Sequence, residues 1–272
     1  MVTIEDILKK SQDTAIAALK NFINNIDLNT DDFNHIYNIQ VQPTTAILPI
    51  DFSTYNSKQN IIKINEDILK KYIKKINEKQ CAESIIEINV AKDIIHEMLH
   101  ANRSITEIDP ATKKETRDLI CTFYEKKPGE DEEYVETRIE RQTNFEEIIT
   151  GALSEFIIKS RNDETLKFEK NSEFLKTKTN DKEIYLGLKI IESLGEDKKE
   201  VLKWFMTEAY AEERRDLFEE TFKEEYDDLL YYVDEIYQMS YCGEDILNTD
   251  MVEAISIIDN AKNNTNKEKR RI

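Results

Sequence analysis

The chain has 272 residues and carries 38 Lys and Arg against 56 Asp and Glu, a net charge of −18. That balance argues against nucleic acid as a primary ligand, because phosphate binding draws on a basic face. Hydrophobic residues make up 39 % and charged residues 35 %, which is soluble yet rich enough in Ile, Leu, Phe and Tyr to build a core, with no membrane span.

Only 5 Gly and 4 Pro punctuate the chain, favouring long helices over a turn-rich all-β fold. Glu5 and Asp6 stand where a secretory leader would need a basic flank. Cys81, Cys121 and Cys242 are too scattered for a disulfide framework or a thiolate zinc site. A cytoplasmic protein is expected.

In chain order, Thr3 to Ile26 reads as an amphipathic helix with Thr3 and Asp6 as its capping pair. Three short strands are expected next. The first alternates through Tyr37, Ile39 and Val41 until Pro43, the second is Ala46 to Ile50, and the third Ile61 to Ile64, with a polar turn over Tyr55 to Asn60. Helical spacing returns in Ile68 to Ile76, Cys81 to Asn102 and Asn144 to Ser160. It continues in Ile184 to Leu194, with Gly195 as a C-cap, then Val201 to Met239 and Asp250 to Ala261. Ser104 to Arg141, with Pro128-Gly129 and an acidic block, suits an exposed excursion holding a hairpin. Arg161 to Asp181 reads as a linker. The acidic run from Glu208 to Glu235 is expected to be a solvated helix face, and Trp204, Phe205, Tyr231 and Tyr237 to pack a C-terminal core.

The chemical signal is His96-Glu97-Met98-Leu99-His100, which matches H-E-x-x-H and uses two of the 3 histidines in the chain. Helix positions four apart lie one turn above each other, so two imidazoles can converge on one metal ion. Glu97, about 100° round the helix from His96, can hold water rather than metal. Val90, Ala91, Ile94, Ile95, Met98 and Leu99 form the stripe that enters the core. His96, Glu97 and His100 are then expected on a face left free to line a cleft.

A catalytic zinc needs a third protein ligand and one open position. No histidine follows the motif, and His35 reads as structural. A carboxylate on the Asn144 to Phe156 helix is the better candidate. Glu147 shares its face with Asn144, Thr150, Gly151 and Ser154, which are small or polar, and Glu146 and Glu155 are the alternatives.

These two stretches, Ala91 to Arg103 and Asn144 to Phe156, resemble the zinc metallopeptidases of the gluzincin group, and more loosely uncharacterised zincin-like proteins of low-GC Gram-positive bacteria. The resemblance implies that His96, His100 and Glu147 bind Zn2+ and that Glu97 is the general base. Where the family often has an acidic residue to accept a hydrogen bond from a zinc-bound imidazole, this chain has Gly151. Glu155 or Asp93 is the candidate substitute. Arg103 and Tyr210 are candidates for oxyanion donors.

The expected fold is α+β and mostly helical, a minimal zincin-like core of small sheet, active-site helix and Glu-ligand helix with a C-terminal helical bundle. The core spans 1–160 with its excursion at 104–141, the helical subdomain 181–261, and a flexible tail 262–272. The expected function is a zinc metalloendopeptidase acting on a peptide or protein substrate, in one version a site-specific protease of a single regulator. The alternative is a non-catalytic or regulatory protein-binding module with a structural or vestigial metal site.

Overall fold

Thr3 and Asp6 start the first helix, α1 (Ile4–Asn25), by satisfying each other: the Asp6 N–H donates to Thr3 Oγ1 and the Thr3 N–H to Asp6 Oδ2, both at 3.1 Å. A computed structural model describes residues 2–47, 52–56, 58–102, 104–108, 115–119, 132–161, 182–194, 198–206 and 211–269. The fold is α+β and mostly helical, with a small three-stranded mixed sheet. Among the described residues no helix is long and apolar enough to cross a membrane. Contacts gather the chain into two units, Met1–Ser104 with Ser154–Lys167, and Ile105–Leu153 with Phe168–Ile272.

In the first unit α1 buries Ile7, Leu8, Ala15, Leu19, Phe22 and Ile23, each worth about 1.5–3 kcal/mol for the larger side chains. Its partner is α4 (Glu83–Asn102). Thr14 Oγ1 donates to Glu87 at 2.7 Å, and Lys10 pairs with Glu83, fixing the register of the two helices. From Val90 to Ala101 α4 is buried nearly all round, the pattern of a central helix rather than a surface one.

After a 3-10 turn at Thr30–Phe33 and the short α2 (Asn34–Tyr37), the sheet forms from β1 (Gln40–Thr44), β2 (Ser53–Asn56) and β3 (Ile61–Asn65) in the order β1-β3-β2. β1 runs parallel to β3, and β2 antiparallel to it with Ser53 opposite Ile64. Two expectations are corrected. The first strand runs through Pro43, which is tolerated because β1 is an edge strand. The second described strand is Ser53–Asn56, and Ala46 and Ile47, expected to begin one, belong to none. Thr44 Oγ1 accepts the Ala46 N–H at 3.1 Å and turns the chain out of β1, while 48–50 lie outside the described residues. The turn into β3 is closed by Asn56 Oδ1 on the Gln59 N–H and by Asn60 at φ 53°. Ile62 and Ile64 plug the core, and β2 lies against α4. Asn65 then caps α3 (Glu66–Asn77), its Oδ1 accepting the N–H groups of Asp67 and Ile68.

After the boundary at Ser104, β4 (Ser104–Ile108) and β5 (Glu115–Leu119) pair as a two-stranded sheet inside the stretch expected to hold a hairpin. α5 spans Glu132–Ser160, so its start lies well before Asn144. Strong helix formers over Glu132–Gln142 extend it there without a long apolar stripe. α6 (Lys182–Ser193), α7 (Lys198–Met206), α8 (Ala211–Phe222), α9 (Tyr226–Tyr241) and α10 (Asn248–Lys269) follow. Val201 to Met239 is thus broken into three helices. The break after α8 is a 3-10 turn at Lys223–Glu225 with Lys223 at φ 53°. α10 runs eight residues past Ala261, where its apolar spacing ends.

Phe145 anchors the second unit, edge-on to Phe218 at 5.0 Å and to Tyr226 at 6.1 Å, and Phe205 lies 6.0 Å from Phe218. Phe205 is buried as expected, whereas Tyr231 is exposed and Tyr237 only half-buried. The rings of Phe218, Phe222 and Tyr226 fill the core instead. Glu219, Glu220, Glu224, Asp227 and Asp228 are exposed, the solvated acidic face expected. Arg103, Tyr210, Gly195 and the linker from 162 to 181 lie outside the described residues, as does the side chain of Trp204.

Candidate metal centre

The last three turns of α4 carry the H-E-x-x-H stretch, and the helical spacing has the consequence expected of it. The His96 and His100 rings lie edge to face with centroids 4.6 Å apart, and their Nε2 atoms are 2.8 Å apart. At that distance one ring nitrogen donates and the other accepts, so both cannot carry an Nε2 proton. The two nitrogens already point at one place.

Glu147, on α5, joins them: ligand atoms of His96, His100 and Glu147 all lie within 4.8 Å of one another. Among the described residues this is the group of His, Cys, Asp and Glu side chains able to hold a metal ion. Zinc bound tetrahedrally at about 2.0–2.1 Å would set its nitrogen donors about 3.3 Å apart. The histidine pair meets that by opening about 0.5 Å, a small rotamer adjustment. Two imidazoles and one carboxylate also form a nitrogen-and-oxygen donor set of the kind divalent transition metals take. The residues therefore fit a metal ion.

α5 is held firmly within a few turns of Glu147. Two turns on, Glu155 sits between Lys159 at 2.7 Å and Lys92 of α4 at 3.7 Å, and Phe156 meets the Phe22 ring edge-on at 6.0 Å. One turn back, Asn144 donates to Asp234 Oδ1 of α9 at 2.6 Å.

The other carboxylates take different places. Glu155, ion-paired with two lysines, lies outside the metal-binding group. Glu146 is buried and outside the metal-binding group, with its carbonyl oxygen accepting Thr150 Oγ1 at 2.7 Å. His35 is exposed and apart from the group. Asp93, one turn before His96, has its carboxyl pushed up to about 6, chiefly because burial penalises its charge. Lys92 and His96 oppose that shift, and the charges of Glu97 and Glu155 add to it.

The motif's face is not an open one. Glu97 is 7 % exposed and His100 6 %, with His96 half-buried. The face expected to line a cleft is thus largely buried. A buried carboxylate needs partners, and Glu97 has one that sequence reasoning missed: Ser53, at the start of β2, donates its hydroxyl to Glu97 Oε1 at 2.8 Å. The available signal was the run Ser53-Thr54-Tyr55, an alternation of strand-forming residues just before the turn into β3.

Gly151, one turn after Glu147, faces open space: a Cβ built there would meet nothing within 4 Å. The absence of an acidic side chain at this position therefore leaves room beside the ligand helix. Compared with known protein families, with curated proteins and with solved structures, the chain matches none.

Proposed function

We propose that this chain is a zinc-dependent metallopeptidase. The observation that carries the reading is the convergence of His96, His100 and Glu147 with Glu97 adjoining on the same helix. When bound there, zinc supplies Lewis acidity, polarising a carbonyl oxygen and making water a stronger acid near neutral pH. His96 and His100 present their Nε2 lone pairs, and the Glu147 carboxylate offsets one unit of the ion's charge. Glu97 takes a proton from water on a carboxylate oxygen and delivers it to the leaving nitrogen of the scissile peptide. Glu97 is suited to this because it stands beside the ligands without belonging to the ligand group.

The test pairs metal content with hydrolysis. Purified protein is expected to carry about one zinc per chain, by the stoichiometry of a three-ligand site, and to lose it in Glu147→Ala. Glu97→Gln is expected to keep the metal and lose peptide hydrolysis. Proteolysis surviving Glu97→Gln would refute the reading.

One observation favours a second reading, a regulatory binding module with a structural metal: the burial of Glu97 and His100. On that reading Glu147→Ala lowers thermal stability along with zinc content, and the zinc-loaded wild type cleaves no peptide.

A further inference from the structure

A glutamate that must accept a proton at one oxygen has to be kept from turning the wrong way, because a displacement of 1 Å can cost about 100-fold in rate. We propose that Ser53 is the positioning residue for Glu97, a role that rests on the peptidase reading above. Its hydroxyl occupies Glu97 Oε1 at 2.8 Å, which leaves Oε2 as the oxygen that works and resists rotation of the carboxylate toward the metal ligands.

The hydroxyl is itself fixed by the sheet. Ser53 is paired in register with the fully buried Ile64. The residue before it, Phe52, accepts the Asn65 N–H through its carbonyl at 2.7 Å, and its ring lies 5.9 Å from that of Tyr72 on α3. Asn65 in turn caps α3 with its side chain. The edge strand beside α4 thus hands the helix one hydroxyl at a set place. Thr54, exposed, and Tyr55, whose hydroxyl donates to Asn60 Oδ1, do not perform that task.

The test uses the full chain with Ser53→Ala, Ser53→Thr, Glu97→Ala and the Ser53→Ala/Glu97→Ala pair. Zinc is counted per chain, kcat and KM are read on a quenched-fluorescence peptide library, and urea unfolding is followed on metal-free protein. Ser53→Ala is expected to lower kcat about 10- to 100-fold, to leave KM within about twofold and to keep its zinc. Ser53→Thr, which keeps the hydroxyl on a strand-compatible side chain, is expected to restore most of kcat. In metal-free protein the two alanine substitutions are expected to be non-additive, with a coupling of about tenfold in the unfolding constant.

Additive unfolding effects, an unchanged kcat in Ser53→Ala, or a loss confined to KM would each overturn the assignment. A zinc-loaded wild type that cleaves nothing overturns the peptidase reading and the positioning role with it. The unfolding cycle still decides separately whether Ser53 and Glu97 are coupled, so the two failures are distinguishable.

Discussion

Gly187 on α6 offers a test of how tightly the ligand helix is seated. A Cβ there would stand 2.6 Å from Ala152 Cβ and 2.7 Å from the Ile148 carbonyl oxygen, both on α5. Carbon contacts are comfortable at about 3.5–4.0 Å, so α6 would have to retreat by nearly 1 Å. Neither obstacle is the end of a flexible side chain, which places Gly187→Ala near the upper end of the overpacking range, about 3 kcal/mol. Alanine's better helix propensity returns about 1 kcal/mol. The net expectation is a loss of about 2 kcal/mol, or about 4 to 8 °C in melting midpoint for a chain of this size. Because Ile148 directly follows Glu147, zinc affinity should fall with stability. Urea unfolding of metal-free protein and a competition titration with a chromophoric zinc chelator read the two effects. A Gly187→Ala variant as stable as wild type would show that α6 and α5 are not in close contact here.

The same substitution at Gly151 should have the opposite sign, because open space meets the new methyl group: Gly151→Ala is expected to stabilise by about 0.5–1 kcal/mol, read by urea unfolding. Asp93 predicts a pH dependence. Its folded-state pKa is raised to about 6 from 3.8, so the folded state binds the extra proton and stability falls as pH rises from about 4 to 6, by up to about 3 kcal/mol. Asp93→Asn should remove that fall in metal-free protein, and a wild-type-to-variant difference that stays constant from pH 4 to 7 would refute the assignment. Asn65→Ala removes the acceptor for two N–H groups of α3 and should cost about 1 kcal/mol by thermal unfolding.

The parts of the fold legible in the sequence are those written in helical spacing. α1 could be placed from its stripe and its Thr3–Asp6 pair, and α4 with Glu147 from faces that repeat every three to four residues. What escaped was set by partners distant along the chain. β2 is a short polar edge strand, defined by its pairing with β3 and by α4 beneath it rather than by an apolar run. Pro43 looked like a stop because nothing local says that β1 lies at an edge. Tyr231 has the spacing of a core residue, yet α9 buries Leu229, Leu230, Val233 and Ile236, which turns Tyr231 outward. Ser53 had no motif to announce it, since the need for its hydroxyl arises only once Glu97 is buried.

The division of α5 between the two units bears on the order of synthesis. The first unit contains Phe22 and its edge-on partner Phe156, but 49 residues of the second unit, Ile105–Leu153, separate Ser104 from Ser154. At ribosomal rates of about 5–20 residues per second, α1, the sheet and α4 wait roughly 2 to 10 seconds for the helical segment that completes them. Throughout that interval the Phe22 ring lacks its edge-on partner Phe156. A fragment ending at Ser104 would hold that state indefinitely.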